Sequence, residues 1–462
     1  MRNSRVQDAG EGASPLDVTS VIDQGTFSPS QRWIMLLCFL IMAADGFDTV
    51  AVGYVGPALV AAWGGSKLAL GPLFSAALIG LAVGALVAGP MGDKFGRKKV
   101  LIGSVLAFGL CTLVSALATS MIQLTALRVL TGIGLGAAMP NAVTLLSEYA
   151  PEKHRSLLVN IMFCGFTLGA SAAGFTSAWV IPVYGWESIF IIGGVAPIVL
   201  AAALFTLPES IRFLVIQGHP PKEITRILQR IDRRFVEPKG GYCIPLREIA
   251  DGKAPLAVLF SSDYRIGSYL LWVTSFMGLV VYYLMTSWMP TLMRESGFSL
   301  KQAAMMTALL SLGAGVGPVI CGWLMDKVNS YRVVGGSFVL AAVLVLATGR
   351  SLENVGVLPY LIFFTGAFLA GALTSMPVLA SSFYPTRARA SGVAWMLGIG
   401  RFGGIVGALS GGPLLNAGYS IGLILSLLAF PACIAGLALL VQSWLAAPPS
   451  VATLSAGPRT TH

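Results

Sequence analysis

Charged residues are scarce in this chain. Only 11% of its 462 residues are Asp, Glu, Lys or Arg, against about a quarter in soluble globular domains, which argues against an ordinary water-soluble enzyme. Histidine is nearly absent, with 3 residues, and leaves little for metal chemistry. The 6 cysteines, Cys38, Cys111, Cys164, Cys243, Cys321 and Cys433, are scattered and form no Cys-x-x-Cys pair. Neither a zinc site nor a disulfide framework is therefore indicated. No apolar run opens the chain: the first 30 residues are polar and include Asp8, Glu11, Asp17 and Asp23. A cleavable signal peptide is not expected, so the first apolar helix must direct insertion. No Ser/His/Asp set or phosphate-cradling loop is recognisable. Gly132-x-Gly134-x-Gly136 lies within an apolar run and lacks the strand-to-helix context of a dinucleotide loop. No enzyme, metal or cofactor is expected.

What is abundant is apolar: 55% of residues are hydrophobic and the mean hydropathy is +0.79. A bilayer-spanning helix needs about 20 mostly apolar residues. Apolar runs fall at 33–55, 72–92, 100–120, 124–147, 157–180 and 188–207, and after a long polar stretch at 268–290, 303–325, 333–350, 357–382, 390–414 and 419–445. The expected fold is an all-α polytopic membrane protein with twelve transmembrane helices in two six-helix bundles. The divisions are an N-terminal segment 1–31, a bundle 32–207, a linker 208–267, a second bundle 268–446 and a tail 447–462.

The net charge of +10 would suit nucleic acid if it formed one patch, but it falls between apolar runs, so no nucleic acid is expected. Cytoplasmic loops of membrane proteins collect Lys and Arg. With the amino terminus inside, the external loops hold only Lys67, Arg294, Lys301 and Arg350 of the 30 basic residues. Arg128 and Arg401 lie within spans and the rest are cytoplasmic. Both termini are thus expected inside a cytoplasmic (inner) membrane. Within the linker, Ile224, Ile227, Leu228, Ile231 and Phe235 recur at helical spacing among Arg226, Arg230 and Arg233. That pattern predicts an amphipathic helix on the inner leaflet or on the helix ends, with a partly ordered linker as the alternative. Anionic lipid accounts for its charge.

The halves repeat. Gly89-Pro-Met-Gly-Asp93-Lys94 follows the second span and Gly322-Trp-Leu-Met-Asp326-Lys327 the eighth, an offset of 233 from one aspartate to the other. Tyr149-Ala-Pro151-Glu-Lys-His-Arg155 follows the fourth and Phe383-Tyr-Pro385-Thr-Arg-Ala-Arg389 the tenth, an offset of 234 from one proline to the other. Duplicated six-helix bundles place a substrate site at their interface near the bilayer midplane.

Gly89-x-x-x-Asp93-Lys94-x-Gly96-Arg97-Lys98 resembles the signature loop of the major facilitator superfamily, and Pro208-Glu209-Ser210-x-Arg212 its motif after the sixth helix. Asp45-Gly46-Phe47-Asp48-Thr49 resembles the first helix of the aromatic acid:proton symporter family. Met139-Pro140-Asn141 with Ser147-Glu148-Tyr149, and Tyr384-Pro385-Thr386 leading to Gly398-Ile-Gly-Arg401-x-Gly403, agree with it in order. The resemblance covers residues 25–447. It implies proton-coupled import of benzoate-like or hydroxybenzoate-like carboxylates by a monomer driven by the proton gradient. One departure is the degenerate second signature loop, with Asn329 and Ser330 where Gly96 and Arg97 stand.

A charge at mid-helix costs about 2.5–3.5 kcal/mol on insertion scales, so each needs a reason. Asp45 and Asp48 are three apart and share a helix face; two close carboxylates repel, which favours keeping a proton on one of them. They are candidates for proton coupling, or else are locked to Arg or backbone groups without titrating. Arg401, about 17 Å into its helix among Gly398, Gly400, Gly403, Gly404 and Gly407, offers a planar fork for a carboxylate. It either anchors the substrate or pairs with Asp45 or Asp48. Arg128 is either a relay partner of the aspartates, which the family pattern favours, or snorkels outward. Apolar walls for an aromatic ring are sought among Phe47, Phe163, Phe166, Tyr282, Tyr283, Trp288 and Trp395, of which Phe47 and Trp395 join the substrate set. Asn141, beside Pro140, either lines the cavity or merely accompanies a kink. Asp93, Arg97, Glu148, Arg155, Asp326 and Arg389 make a cytoplasmic latch, as the motif resemblance implies; a basic loop that serves only orientation is the alternative. The rival functions are an exporter of organic anions or drugs on the same fold, and a membrane receptor without flux.

Overall fold

The computed structural model describes residues 16–24, 27–64, 66–231, 235–238, 241–243, 258–384 and 386–445. Among the described residues twelve helices are long and apolar enough to cross a membrane. In chain order the helices are α1 Val18–Gln24, α2 Pro29–Trp63, α3 Leu70–Phe95, α4 Arg97–Ser115, α5 Met121–Tyr149, α6 Arg155–Tyr184 and α7 Glu187–Leu204. Two short helices follow, α8 Ile211–Ile216 and α9 Pro221–Ile231. Then come α10 Arg265–Glu295, α11 Leu300–Met325, α12 Ser330–Arg350, α13 Leu358–Phe383, α14 Thr386–Asn416 and α15 Ile421–Leu445. The twelve spans are α2 to α7 and α10 to α15. Ten of the twelve begin one to four residues before their apolar runs, because caps rather than hydropathy set where a helix starts. Ser120 accepts the Gln123 N–H at the start of α5, Ser299 and Gln302 form a capping box on α11, and Asn329 accepts from the Tyr331 and Arg332 N–H groups on α12. These side chains satisfy amides that the first turn leaves orphaned.

The chain forms two compact units. The first takes described residues from 1–49, 79–169 and 190–250. In it the narrow faces are glycine: Gly46 lies against the Phe166 carbonyl, and Gly80 and Gly84 against the Val129 and Ile133 carbonyls. Small residues let membrane helices approach to backbone contact, where dispersion drives association. Its core runs from Leu37, Cys38 and Ile41 through Phe108, Leu135 and Leu145 to Leu204, and Ile224 and Leu228 of α9 belong to the same cluster. The predicted amphipathic helix is thus present, and its apolar stripe packs on protein at the helix ends. Leu16–Asp17 pairs in parallel with Tyr242–Cys243 beside it.

The second unit takes 50–78, 170–189 and described residues from 251–462. Within it Gly313 and Gly317 of α11 sit on the Phe363 and Ala367 carbonyls of α13, and Gly403 and Gly407 of α14 on the Phe276 and Val280 carbonyls of α10. Segments 50–78 and 170–189, which the repeat assigns to the first half, pack here with the C-terminal helices. Gly53 faces the Ser287 carbonyl and Gly71 the Leu409 carbonyl, Phe74 stands edge-on to Trp288 at 5.1 Å, and Lys67 pairs with Glu295 at 2.6 Å.

Candidate functional site

Asp48 is fully buried and its charge is matched in detail. Arg128 donates from Nη1 to Oδ1 at 3.0 Å and from Nη2 to Oδ2 at 2.6 Å, and Nη2 also reaches the Asp48 carbonyl at 3.3 Å. Thr112 donates its hydroxyl to Oδ1 at 2.7 Å. The guanidinium, also fully buried, sits 5.8 Å from the Phe190 ring centroid. A fork-to-fork pair of this kind is the strong form of a charge-assisted hydrogen bond. Arg128 therefore does not snorkel; α5 carries it inward to α2.

Asp45 has a different environment. It is 4% exposed and accepts one hydrogen bond, from the Thr49 hydroxyl one turn on, at 3.1 Å. Among the described residues no cation of its own unit pairs with it. Two aspartates one turn apart on α2 are thus unequal: one pairs with a guanidinium, and the other meets no cation of its own unit among the described residues. Gly46 between them brings α2 against α6.

The other two expected substrate residues of this unit, Phe47 and Asn141, lie in helix contacts. Phe47 lies against Gly193 of α7. Asn141 turns its Nδ2 back to the Ala137 carbonyl at 2.9 Å, and its Oδ1 lies against Gly92 of α3. An Asn in a helix can satisfy itself on its own backbone, and here it does so beside Pro140 in the narrow α3–α5 contact.

In the second unit Arg401 is partly exposed, on the flank of the glycine face that α14 turns to α10. No carboxylate of its own unit pairs with it among the described residues. Trp395, six residues earlier, is 44% exposed and stacks on Trp272 at 5.9 Å. Trp288 is wholly buried and donates its indole N–H to the Ala408 carbonyl at 2.7 Å, which makes it a packing residue.

At the α3–α4 end of the first unit, Arg97 Nε meets Glu148 Oε1 at 3.1 Å, and the Ser210 hydroxyl donates to Glu148 Oε2. Glu209 accepts the backbone N–H groups of Lys98 and Ser210, each at 2.9 Å. Tyr149 donates to the Glu209 carbonyl at 2.5 Å, and Gln31 Nε2 to the Tyr149 carbonyl at 2.7 Å. Of the six latch residues the structure brings Arg97 and Glu148 together. Arg155 is half-buried, with Nε unpartnered among the described residues. The side chain of Asp93 lies outside the described residues. In the second unit Asp326 and Arg389 are exposed, and among the described residues neither forms an ion pair. Thr112, Gln31, Glu209 and Ser210 are neighbours of these charged residues that charge alone did not single out. The last two were visible as a motif, whereas a threonine or glutamine in an apolar run carries no comparable signal.

The family model of the Major Facilitator Superfamily matches residues 37–309 and 271–460. A 4-hydroxybenzoate transporter of Pseudomonas putida is 50% identical over 428 residues, 92% of this chain and 96% of the relative. A gallate transporter of Pseudomonas putida is 43% identical over 430 residues, covering 93% and 95%. Among solved structures, a D-xylose-proton symporter superposes with a TM-score of 0.68 at 17% identity, over 88% of this chain and 96% of that one, a likeness of fold.

Proposed function

The chain belongs to the Major Facilitator Superfamily, and on that premise we propose that it imports aromatic carboxylates of the hydroxybenzoate class together with protons. The membrane is the cytoplasmic one, with both termini inside. The named substrates of the two Pseudomonas putida relatives support the aromatic acid class. The observation that carries proton coupling is the inequality of the two aspartates. Asp48 has both oxygens taken by Arg128, so protonating it would break a buried ion pair. Asp45, buried with the Thr49 hydroxyl as donor and no cation of its own unit among the described residues, can gain and lose a proton without that cost. A carboxylate buried without a cation is expensive, and a proton removes the expense. Coupling then follows if the proton must be present for the binding element to rearrange.

Arg401 supports an anionic substrate. A mid-span guanidinium costs about 2.5–3.5 kcal/mol and in its own unit meets no carboxylate, so a substrate carboxylate is the partner its fork fits. Rocking of two bundles around such a site gives alternating access. The Arg97–Glu148–Ser210 cluster would be a breakable contact at the cytoplasmic end.

The test is uptake of labelled 4-hydroxybenzoate and benzoate by proteoliposomes under an acid-outside pH gradient. Accumulation driven by the gradient is expected, lost in Asp45→Asn and in Arg401→Ala, with KM raised at least tenfold in Arg401→Lys because an ammonium cannot form the fork. Gradient-driven accumulation by Asp45→Asn would remove that residue as the proton carrier. Failure of folded, oriented wild-type protein to accumulate either acid would overturn the substrate class.

A further inference from the structure

Three apolar spans stop close together in the first unit: α3 at Phe95, α4 at its start, Arg97, and α7 at Leu204. Around these ends α8 and α9 border an open cavity of about 770 Å3. Its walls carry five basic side chains, Lys94, Lys98, Lys99, Arg226 and Arg230, against two carboxylates. Both carboxylates are already engaged. Glu209 accepts backbone amides and Glu223 meets His219 Nδ1 at 3.0 Å. Lys98 is engaged too, its Nζ donating to the Phe205 carbonyl at 2.8 Å. Lys94, Lys99, Arg226 and Arg230 are exposed and form no ion pair among the described residues; Lys94 rests over the Phe95 ring, 5.3 Å from its centroid.

The rim has a second character. Phe95 and Phe205 are 49% and 63% exposed, at the level where the apolar spans give way to polar chain. Ile224, Ile227 and Leu228 bury the inner stripe of α9, which leaves Arg226 and Arg230, one turn apart, to wall the cavity together. We propose that this cavity binds the headgroup of an anionic phospholipid, the phosphodiester resting among Lys94, Lys99, Arg226 and Arg230 and the acyl chains lying along Phe95 and Phe205. The cations alone fit any phosphate; the exposed aromatic rim at the ends of the spans selects one that carries chains. Bound there, the lipid would tie α9 to the α3–α4 loop and to the Arg97–Glu148 contact beside it.

The experiment is native mass spectrometry of the full chain, delipidated in detergent and titrated with phosphatidylglycerol or phosphatidylcholine of the same acyl composition, with inorganic phosphate as a competitor. Wild-type protein is expected to retain one phosphatidylglycerol with at least tenfold preference over phosphatidylcholine, and millimolar phosphate to leave it bound. The Lys99→Gln/Arg226→Gln/Arg230→Gln variant should bring the two lipids within twofold, while Lys222→Gln/Arg332→Gln should keep the preference. Should the triple variant lose its thermal transition, Arg230→Gln alone carries the test, with about a fivefold loss expected for one cation near a charged headgroup. A preference unchanged in these variants would overturn the site, and displacement of the lipid by inorganic phosphate would make it a site for soluble anions instead.

Discussion

Asp48 and Arg128 are worth most to each other as a pair and cost most when divided. Both are fully buried, so removing one leaves the other charged and desolvated, a loss of about 3–5 kcal/mol. Asp48→Asn and Arg128→Met should each lower the thermal transition of the purified protein accordingly, and Asp48→Leu/Arg128→Met should recover a large part of it. Asp45→Asn should cost under about 1 kcal/mol, since an amide can keep the Thr49 bond and no ion pair is broken. Differential scanning fluorimetry in one detergent compares all four. If Asp45→Asn proved as damaging as Asp48→Asn, the inequality on which proton coupling rests would be gone. The scarcity of charge made Asp45, Asp48, Arg128 and Arg401 conspicuous in the sequence. Spacing could place the aspartates on one face but could not say which of them would receive a guanidinium 80 residues away. Thr112 was silent for another reason: threonines in apolar helices commonly bond their own backbone, as Thr131 does to Leu127, and this one instead completes the Asp48 shell.

Among the helices, α9 and the α3–α4 junction are the clearest cases of a pattern whose partner had to be seen. Helical spacing of Ile224, Ile227 and Leu228 predicted an apolar stripe, and a stripe is equally content against lipid or protein. In the structure Leu228 is wholly buried in the core of the first unit. Leu228→Ala should therefore cost about 2–5 kcal/mol of local stability, seen as faster amide exchange across α9, whereas a leaflet-bound helix would show no such change in detergent. Gly96 is held by two constraints at once. Its φ of 96° belongs to a region that glycine occupies and other residues reach at about 1–3 kcal/mol, and a Cβ there would run into the Glu209 carboxylate. Gly96→Ala should release Glu209 from the Lys98 and Ser210 amides, and should lower the thermal transition by more than Gly103→Ala, a helical glycine with open space around it. Equal effects would mean that the junction is not held through Glu209. The span ends were legible to within five residues, except that α2 runs eight further, to Trp63, since hydropathy locates the middle of a helix. Its ends depend on caps such as Ser120 and Ser299, which look like any other serine in a loop.

The duplication was legible too, from two motifs at nearly one offset, yet it does not say which segments pack together. A glycine in a membrane helix announces a close approach without naming the neighbour. In the second unit Gly53 takes the Ser287 carbonyl, Gly71 the Leu409 carbonyl and Gly174 the Ala308 side chain, so that 50–78 and 170–189 seal against the C-terminal helices. Magnitudes decide what holds this seal. Lys67–Glu295 is conspicuous, but its side chains are 36% and 39% exposed, and such pairs contribute about 0–1 kcal/mol. Lys301 over the Trp179 ring at 3.3 Å adds about 0.5–1 kcal/mol at an exposed site. Backbone contact along Gly53 tolerates no substitute, because a Cβ there would come within 2.9 Å of the Ser287 carbonyl oxygen. A transporter that alternates access must pass through this sealed arrangement in every cycle. Initial uptake rates in proteoliposomes should therefore fall more than tenfold in Gly53→Val and less than twofold in Lys67→Gln, with both variants keeping a cooperative thermal transition. A bis-methanethiosulfonate reagent, which joins two thiols through reducible disulfides and releases two sulfinates, should stop uptake when it links Lys67→Cys to Glu295→Cys until reductant is added, because the seal must also open. Normal rates in Gly53→Val, or in the cross-linked protein, would mean that closing and opening this end of the molecule is no part of the transport cycle.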